Sequence, residues 1–342
     1  MNLAPSPDQK AIKDAFADVF GRESTPARVR AVEADGFDPD LWRLLVELGA
    51  PGIAVGEDLG GAGTGLVELV LMAEELGRRI ACVPLVEAAV AARTIADHAV
   101  ESAAATSLLE EILSGGVLIS FQPRPIQGGL ASLVPAGAVA DGILALDGEQ
   151  LVVVRGEAPG GSADFGLLGC ADRRVDGEAE RLVLAEGDAA IDRFATALGR
   201  WRVATAGTLA GLAAEAIAIA VEYTIERIQF GVQIGTFQAL QHPLADAVTA
   251  ADGAELLARE AAWRHDEGVA DWREMAAIAY AHAVRTAENA CAVGLHVHGG
   301  YGYTLEYDIQ LYLRRAKALG LIGGDPAATW AEIGAATVKG VG

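Results

Sequence analysis

Cysteine is scarce in this 342-residue chain: Cys82, Cys170 and Cys291 are odd in number and far apart. With neither C-x-x-C spacing nor the density of a disulfide scaffold, they read as reduced, packed thiols, and the chain as cytoplasmic. Positive charge is scarce too, 26 Lys and Arg against 47 Asp and Glu, for a net charge of −21. Such a surplus repels phosphate backbones and anionic lipid surfaces, so neither nucleic acid nor membrane is expected as a partner. No G-x-G-x-x-G follows a predicted strand, which removes the dinucleotide fingerprint, and no G-x-S-x-G or catalytic-Cys signature supports a hydrolase. His296 and His298 stand two apart, off any common helical face and without acidic or Cys neighbours at ligand spacing, so no metal site is expected. Met1 to Lys10 lacks a basic segment followed by an apolar one, so no secretory signal is expected. Long apolar runs are broken by charge, as by Glu215 within 209–221, and no transmembrane span is expected. Internal repeats and low-complexity segments are also missing.

Apolar residues, by contrast, are plentiful: 52% of the chain is hydrophobic and the mean hydropathy is +0.29. That suffices for the cores of two or three domains and points to further burial between subunits. Ser6-Pro7-Asp8-Gln9 has the form of a capping box with Pro at the first helical position, predicting a helix from about 7 to 21. Leu41, Leu44, Leu45 and Leu48 recur at helical spacing before Gly49 and Pro51. Leu66, Leu69, Val70, Ala73 and Leu76 do so after the turn-rich loop 60–65. From Val117 to about Asp188, glycine and proline punctuate short apolar runs such as 143–146 and 151–154, the pattern of a small β domain. Long helices return from Ala190, with Leu209, Leu212, Ala216, Ile219 and Tyr223, then Leu240, Leu244, Val248 and Ala251, at intervals of three or four. The expected fold is mainly α with a small central β domain: an N-terminal helical domain (1–114), a reduced middle β domain (115–189) and a C-terminal helical bundle (190–342).

Arg227-Ile228-Gln229-Phe230-Gly231, followed by Phe237-Gln238, is expected to close one long helix and open another. A guanidinium that forks onto phosphate oxygens beside flat aromatic rings can grip a pyrophosphate and stack an adenine. The same residues also suit a plain helix end, with Arg on the last carbonyls and Phe packed beneath it. Locally, both readings stand.

Four ordered motifs decide between them. Trp42, Leu48-Gly49, Gly60-Gly61-Ala62-Gly63 and Glu74-Glu75-Leu76-Gly77-Arg78 resemble the N-terminal signature of acyl-CoA dehydrogenases. Arg227-x-x-Phe230-Gly231, then His296-x-x-Gly299-Gly300-Tyr301-Gly302-Tyr303-x-x-Glu306-Tyr307, then Arg314-Arg315-Ala316-Lys317 resemble three further signatures, in the family's order. The resemblance implies FAD lying across a subunit interface. Arg227, Gln229, Phe230, Phe237 and Gln238 would hold the ADP half of a neighbour's cofactor, and His296, Gly299 and Gly300 would touch it from the next loop. His296 stands where the family often has Gln.

The family's reaction needs a carboxylate that removes the α proton of an acyl-CoA. By resemblance its common position falls on Gly323 and its alternative position on Trp201, just before the recurrent Arg202. Neither residue takes a proton, so no catalytic residue is expected on this chain. In place of the family's flavin-contacting T-E-P-G-x-G-S-D, the chain reads Ile119-Ser120-Phe121-Gln122-Pro123-Arg124-Pro125, and the β domain contains no Trp. These departures resemble the shorter, base-lacking subunit of actinobacterial heterotetramers (α2β2) that act on CoA thioesters of steroid side chains. In such an enzyme a homologous catalytic subunit supplies base, flavin pocket and acyl-CoA site, and electron-transferring flavoprotein is the usual acceptor. Two alternatives remain open. One is a self-sufficient homotetramer using Asp325 as base, although Asp325 before Pro326 also suits a helix cap; the other is a scaffold that kept the fold without the chemistry. Glu215 and Glu222 read as surface or inter-subunit carboxylates, and Trp201 as filling an unused acyl pocket.

Overall fold

The computed structural model describes residues 3–161, 164–175 and 179–340. Six helices come first: α1 (Pro7–Glu23), α2 (Pro26–Ala31), α3 (Pro39–Glu47), α4 (Leu66–Arg78), α5 (Leu85–Ala99) and α6 (Ala103–Leu113). The capping box at α1 forms as the sequence dictates. Ser6 Oγ accepts from the Gln9 N–H at 3.2 Å, Gln9 Oε1 accepts from the Ser6 N–H at 2.9 Å, and the helix runs two residues past its expected end. Thr25 and Asp38 cap α2 and α3 by accepting from the Arg28 and Leu41 N–H groups, and Gly49, at φ +73°, turns the chain away after α3.

Six strands follow: β1 (Ile119–Phe121), β2 (Leu130–Val134), β3 (Gly142–Asp147), β4 (Gln150–Arg155), β5 (Ala171–Arg174) and β6 (Glu180–Glu186). They form a four-stranded sheet in the order β1-β3-β4-β6 beside a β2-β5 pair; β1 runs parallel to β3 and the other pairings are antiparallel. Successive side chains point to opposite faces of a strand. Leu144, Leu146, Leu151 and Val153 therefore enter the main core, while Ile143, Ala145, Val152 and Val154 pack with Ala131 and Val134 in a second one. Burial on both faces is why 151–154 reads as an unbroken apolar run.

The C-terminal region holds α7 (Gly187–Glu226), α8 (Gln238–Asp266), α9 (Trp272–His298), α10 (Ile309–Ile322) and α11 (Pro326–Gly340). Between α7 and α8 the structure corrects the expected helix-to-helix step. A hairpin, β7 (Ile228–Gln229) and β8 (Val232–Gln233), stands there, turned by Phe230 and Gly231 at φ +56° and +80°. Two successive positive φ values give the tight turn that matches strand twist, normally an Asn-Gly feature, so a Phe hides it in sequence. One helix is also more apolar than expected. An 18-residue window of α7, of mean hydropathy 1.6, is long and apolar enough to cross a membrane, but 78% of it is buried inside the fold. Glycines bring α7 and α4 into backbone contact: a Cβ on Gly211 would lie 1.9 Å from the Glu74 carbonyl oxygen, and one on Gly77 1.9 Å from that of Thr208. Within this packing Arg259 grips Glu74 through two hydrogen bonds of 2.9 and 2.8 Å.

Candidate active-site and cofactor-binding regions

Gly323 and Trp201, the two positions at which the sequence reading looks for a base, are far apart in sequence and meet in space. Gly323 follows α10, and a Cβ on it would sit 3.2 Å from Trp201 Cζ3 and 2.6 Å from Tyr280 Oη. Trp201, fully buried on α7, packs its ring 5.3 Å from that of Tyr280 on α9. Its Nε1 donates to Glu87 Oε1 at 3.0 Å, and Tyr280 Oη donates to the Leu319 carbonyl at 2.8 Å. Burial raises the Glu87 carboxyl above its ordinary range, and the indole hydrogen bond offsets only part of that rise. The locus is thus an aromatic plug over a buried carboxyl whose pKa is raised. Sequence reasoning passed over Glu87; a lone Glu inside Leu85-Val86-Glu87-Ala88-Ala89-Val90 was the available signal, because an isolated buried carboxyl needs a partner.

The other acids considered as a base do not face this locus. Asp325 is exposed, and its Oδ1 accepts from the Ala327 N–H at 2.9 Å at the start of α11. Glu215 pairs with Arg79 at 3.2 Å, and Glu222 is exposed. Arg202 is occupied by Glu332 of α11, donating to both carboxylate oxygens at 3.0 and 2.8 Å. The stretch 119–125 is turned into its own domain: Ser120 Oγ donates to the Pro135 carbonyl at 2.6 Å and Gln122 Nε2 to that of Ser132 at 3.0 Å. Phe121 closes the sheet against Phe194 of α7, with ring centroids 5.8 Å apart.

The other candidate residues gather at the far end of α7. Arg227 caps that helix, and its guanidinium lies 5.6 Å over the ring of Tyr301, in the short 3-10 turn Gly299–Tyr303 after α9. Among the described residues this guanidinium has no carboxylate and no hydrogen-bond acceptor, although acids outnumber bases 47 to 26. Phe230, at the hairpin tip, is 92% exposed and meets Phe237 edge-on at 6.1 Å. Gln229 donates to its neighbour's carbonyl, Gln238 opens α8, and His296 is exposed on the last turn of α9. A Cβ on Gly299 or Gly300 would meet nothing within 4 Å, so the backbone there faces open space. An unpaired fork, exposed aromatic rings and bare backbone make a surface suited to an anionic, ring-bearing ligand.

The sequence profile of the acyl-CoA dehydrogenase N-terminal domain matches residues 6–115, and that of the C-terminal domain matches residues 191–337. Acyl-CoA dehydrogenase IpdE2 of Mycobacterium tuberculosis is 30% identical over 319 residues, 92% of either chain. This chain belongs to the acyl-CoA dehydrogenase family. IpdE2 of Mycolicibacterium smegmatis is 29% identical over 94% of this chain and 96% of its own. Among solved structures, a Tcur3481-Tcur3483 steroid ACAD variant superposes with a TM-score of 0.86 at 28% identity, covering 98% of both chains. The ChsE4-ChsE5 complex of Mycobacterium tuberculosis reaches 0.86 at 23% identity over 99% of each chain, a likeness of fold. Acyl-CoA dehydrogenases are oxidoreductases that generally use FAD, and the two regions differ in how they suit it. Residues 227–238 and 296–300 present the cation, rings and bare backbone that suit an ADP moiety; in 119–125, Ser120 Oγ and Gln122 Nε2 are bonded within the β region, while the buried Gln122 Oε1 and Arg124 Nε have no hydrogen-bond partner among the described residues.

Proposed function

We propose that this chain is the base-lacking subunit of a heteromeric, FAD-dependent acyl-CoA dehydrogenase. Two copies join two of a homologous catalytic subunit, which supplies the base, the flavin pocket and the acyl-CoA site. The observation that carries this reading is the meeting of Gly323 with Trp201 at one packed locus, where the Glu87 carboxyl is buried and bonded to the indole. In this account 1–114 and 190–342 form the helical framework, and 115–189 is a β domain reduced to a structural role.

The reaction is α,β-desaturation of an acyl-CoA. FAD, when bound, supplies the acceptor for the hydride that leaves the β carbon. This chain's part is binding and orientation. Arg227 gives its fork to the diphosphate oxygens, Phe230 and Phe237 offer ring faces to the adenine, and Gly299 and Gly300 bring backbone N–H groups close. Gln229, Gln238 and His296 supply polar contacts to the same half. The partner's carboxylate removes the α proton. The steroid ACAD likeness at 28% identity supports a steroid side-chain CoA thioester as substrate, with electron-transferring flavoprotein as acceptor and the cytoplasm as location.

The test is turnover of a steroid side-chain CoA thioester with an artificial electron acceptor. The co-expressed pair turns over and the lone chain does not. Turnover by the lone chain, abolished by replacing one of its own acids, contradicts the proposal.

A further inference from the structure

We propose that Tyr301 is a positioning residue for Arg227, holding the guanidinium ready for the diphosphate of a dinucleotide carried by the partner. The inference rests on the reading of Arg227 given above and concerns what prepares it.

Arg227 is fixed from two directions that converge on one aromatic cluster. Its backbone N–H donates to the Tyr223 carbonyl at 2.9 Å, closing the last turn of α7. Tyr223 stacks on His298, with centroids 4.1 Å apart, and Tyr307 meets both rings edge-on at 5.9 and 5.5 Å. Tyr301 packs on Tyr307 at 5.8 Å and lies beneath the Arg227 guanidinium. Main chain and side chain of Arg227 are therefore referenced to the same rings.

The turn that carries Tyr301 is forced by glycine. Gly299 adopts φ +61° and ψ −141°, a region open essentially to glycine. A Cβ on Gly302 would lie 3.0 Å from His298 Cβ and 3.0 Å from Leu295 Cδ2, so a side chain there would crowd the end of α9. A cation held over a ring spends none of its N–H groups on a carboxylate or carbonyl acceptor. A carboxylate in the place of Tyr301 would fix Arg227 as well but would occupy those donors. An aromatic ring orients the cation and leaves its fork for an anion.

The measurement is FAD titration into the FAD-stripped complex of this chain with its catalytic partner, for Tyr301→Leu, Tyr301→Phe, Arg227→Ala and the Leu/Ala double variant. Thermal melts of each confirm folding. Tyr301→Leu is expected to weaken FAD binding roughly three- to tenfold, in the range of a partly desolvated cation–π contact. Tyr301→Phe, which keeps the ring, restores it, and in the Arg227→Ala background Tyr301→Leu adds little. If Arg227→Ala weakens FAD and Tyr301→Leu does not, or if the two losses simply add, Tyr301 does not act through Arg227 and the inference falls while the clamp stands. If neither variant changes FAD affinity, the clamp itself is misplaced and both fall.

Discussion

Trp201 lies 3.2 Å from where a Cβ on Gly323 would project, so the two positions at which the sequence reading looks for a base crowd one another. The pair is closely packed, and the buried Glu87 carboxyl bonded to the indole completes the locus.

Removing the plug should therefore cost stability without costing catalysis. Trp201→Ala is expected to lose about 3–5 kcal/mol on unfolding of the chain, by deleting a fully buried ring and orphaning a carboxyl. Turnover of the assembled enzyme should remain near wild type when measured below the variant's melting range. A large fall in turnover with the fold intact would place Trp201 in the chemistry.

Restoring a carboxylate at the common position should fail sterically. Gly323→Glu meets the Tyr280 hydroxyl 2.6 Å from its Cβ, and overpacking with a buried charge should destabilise the chain by roughly 3 kcal/mol. Combining it with Trp201→Ala should return part of that loss. Denaturant unfolding of the single and double variants measures it; independent, additive losses would contradict the shared locus.

Glu87 gives a signed pH dependence. Burial raises its folded-state pKa, while the unfolded chain releases the proton near the ordinary 4.5. The stability it contributes is whole below that value and is lost as pH rises toward the folded-state pKa, at about 1.4 kcal/mol per pH unit. Glu87→Gln, which cannot ionise, should gain on wild type across that window and match it below. Wild type gaining on the variant as pH rises would mean that Glu87 is ionised in the fold.

Glu332 should behave in the opposite sense. Its hydrogen bonds from Arg202 hold its pKa below the ordinary 4.5, so the contribution is present above that value and lost as pH falls through the folded-state pKa. The Glu332 side chain is 56% exposed, so screening limits the pair to about 0.5 kcal/mol. Acidification should loosen α11, read as a fluorescence change of Trp330 on that helix, and Glu332→Gln should remove the acid step. An unchanged step in the variant would detach α11 from this pair.

Much of the fold was legible because its signals are local. The Ser6–Gln9 capping box, the Gly49 stop and the two-sided apolar run at 151–154 each follow from a few neighbouring residues. The clamp reading rests on resemblance, since Arg227 alone also suits a helix end. The hairpin at 228–233 was not legible, because Phe230 occupies a turn position where Asn would announce it. Glu87 escaped because its meaning depends on Trp201, a partner in another helix. The contact of Arg227 with Tyr301 was hidden for the same reason. The apolar window of α7 shows the limit of composition: burial by its neighbours, rather than Glu215, accounts for its hydropathy.

The central claim is that one FAD is completed by two different subunits, and its stoichiometry is the most direct test. Flavin absorbance against protein mass, on this chain purified alone and again after co-expression with a homologous catalytic subunit, should show a colourless chain and then one FAD per pair. Stoichiometric FAD on the lone chain would contradict the account.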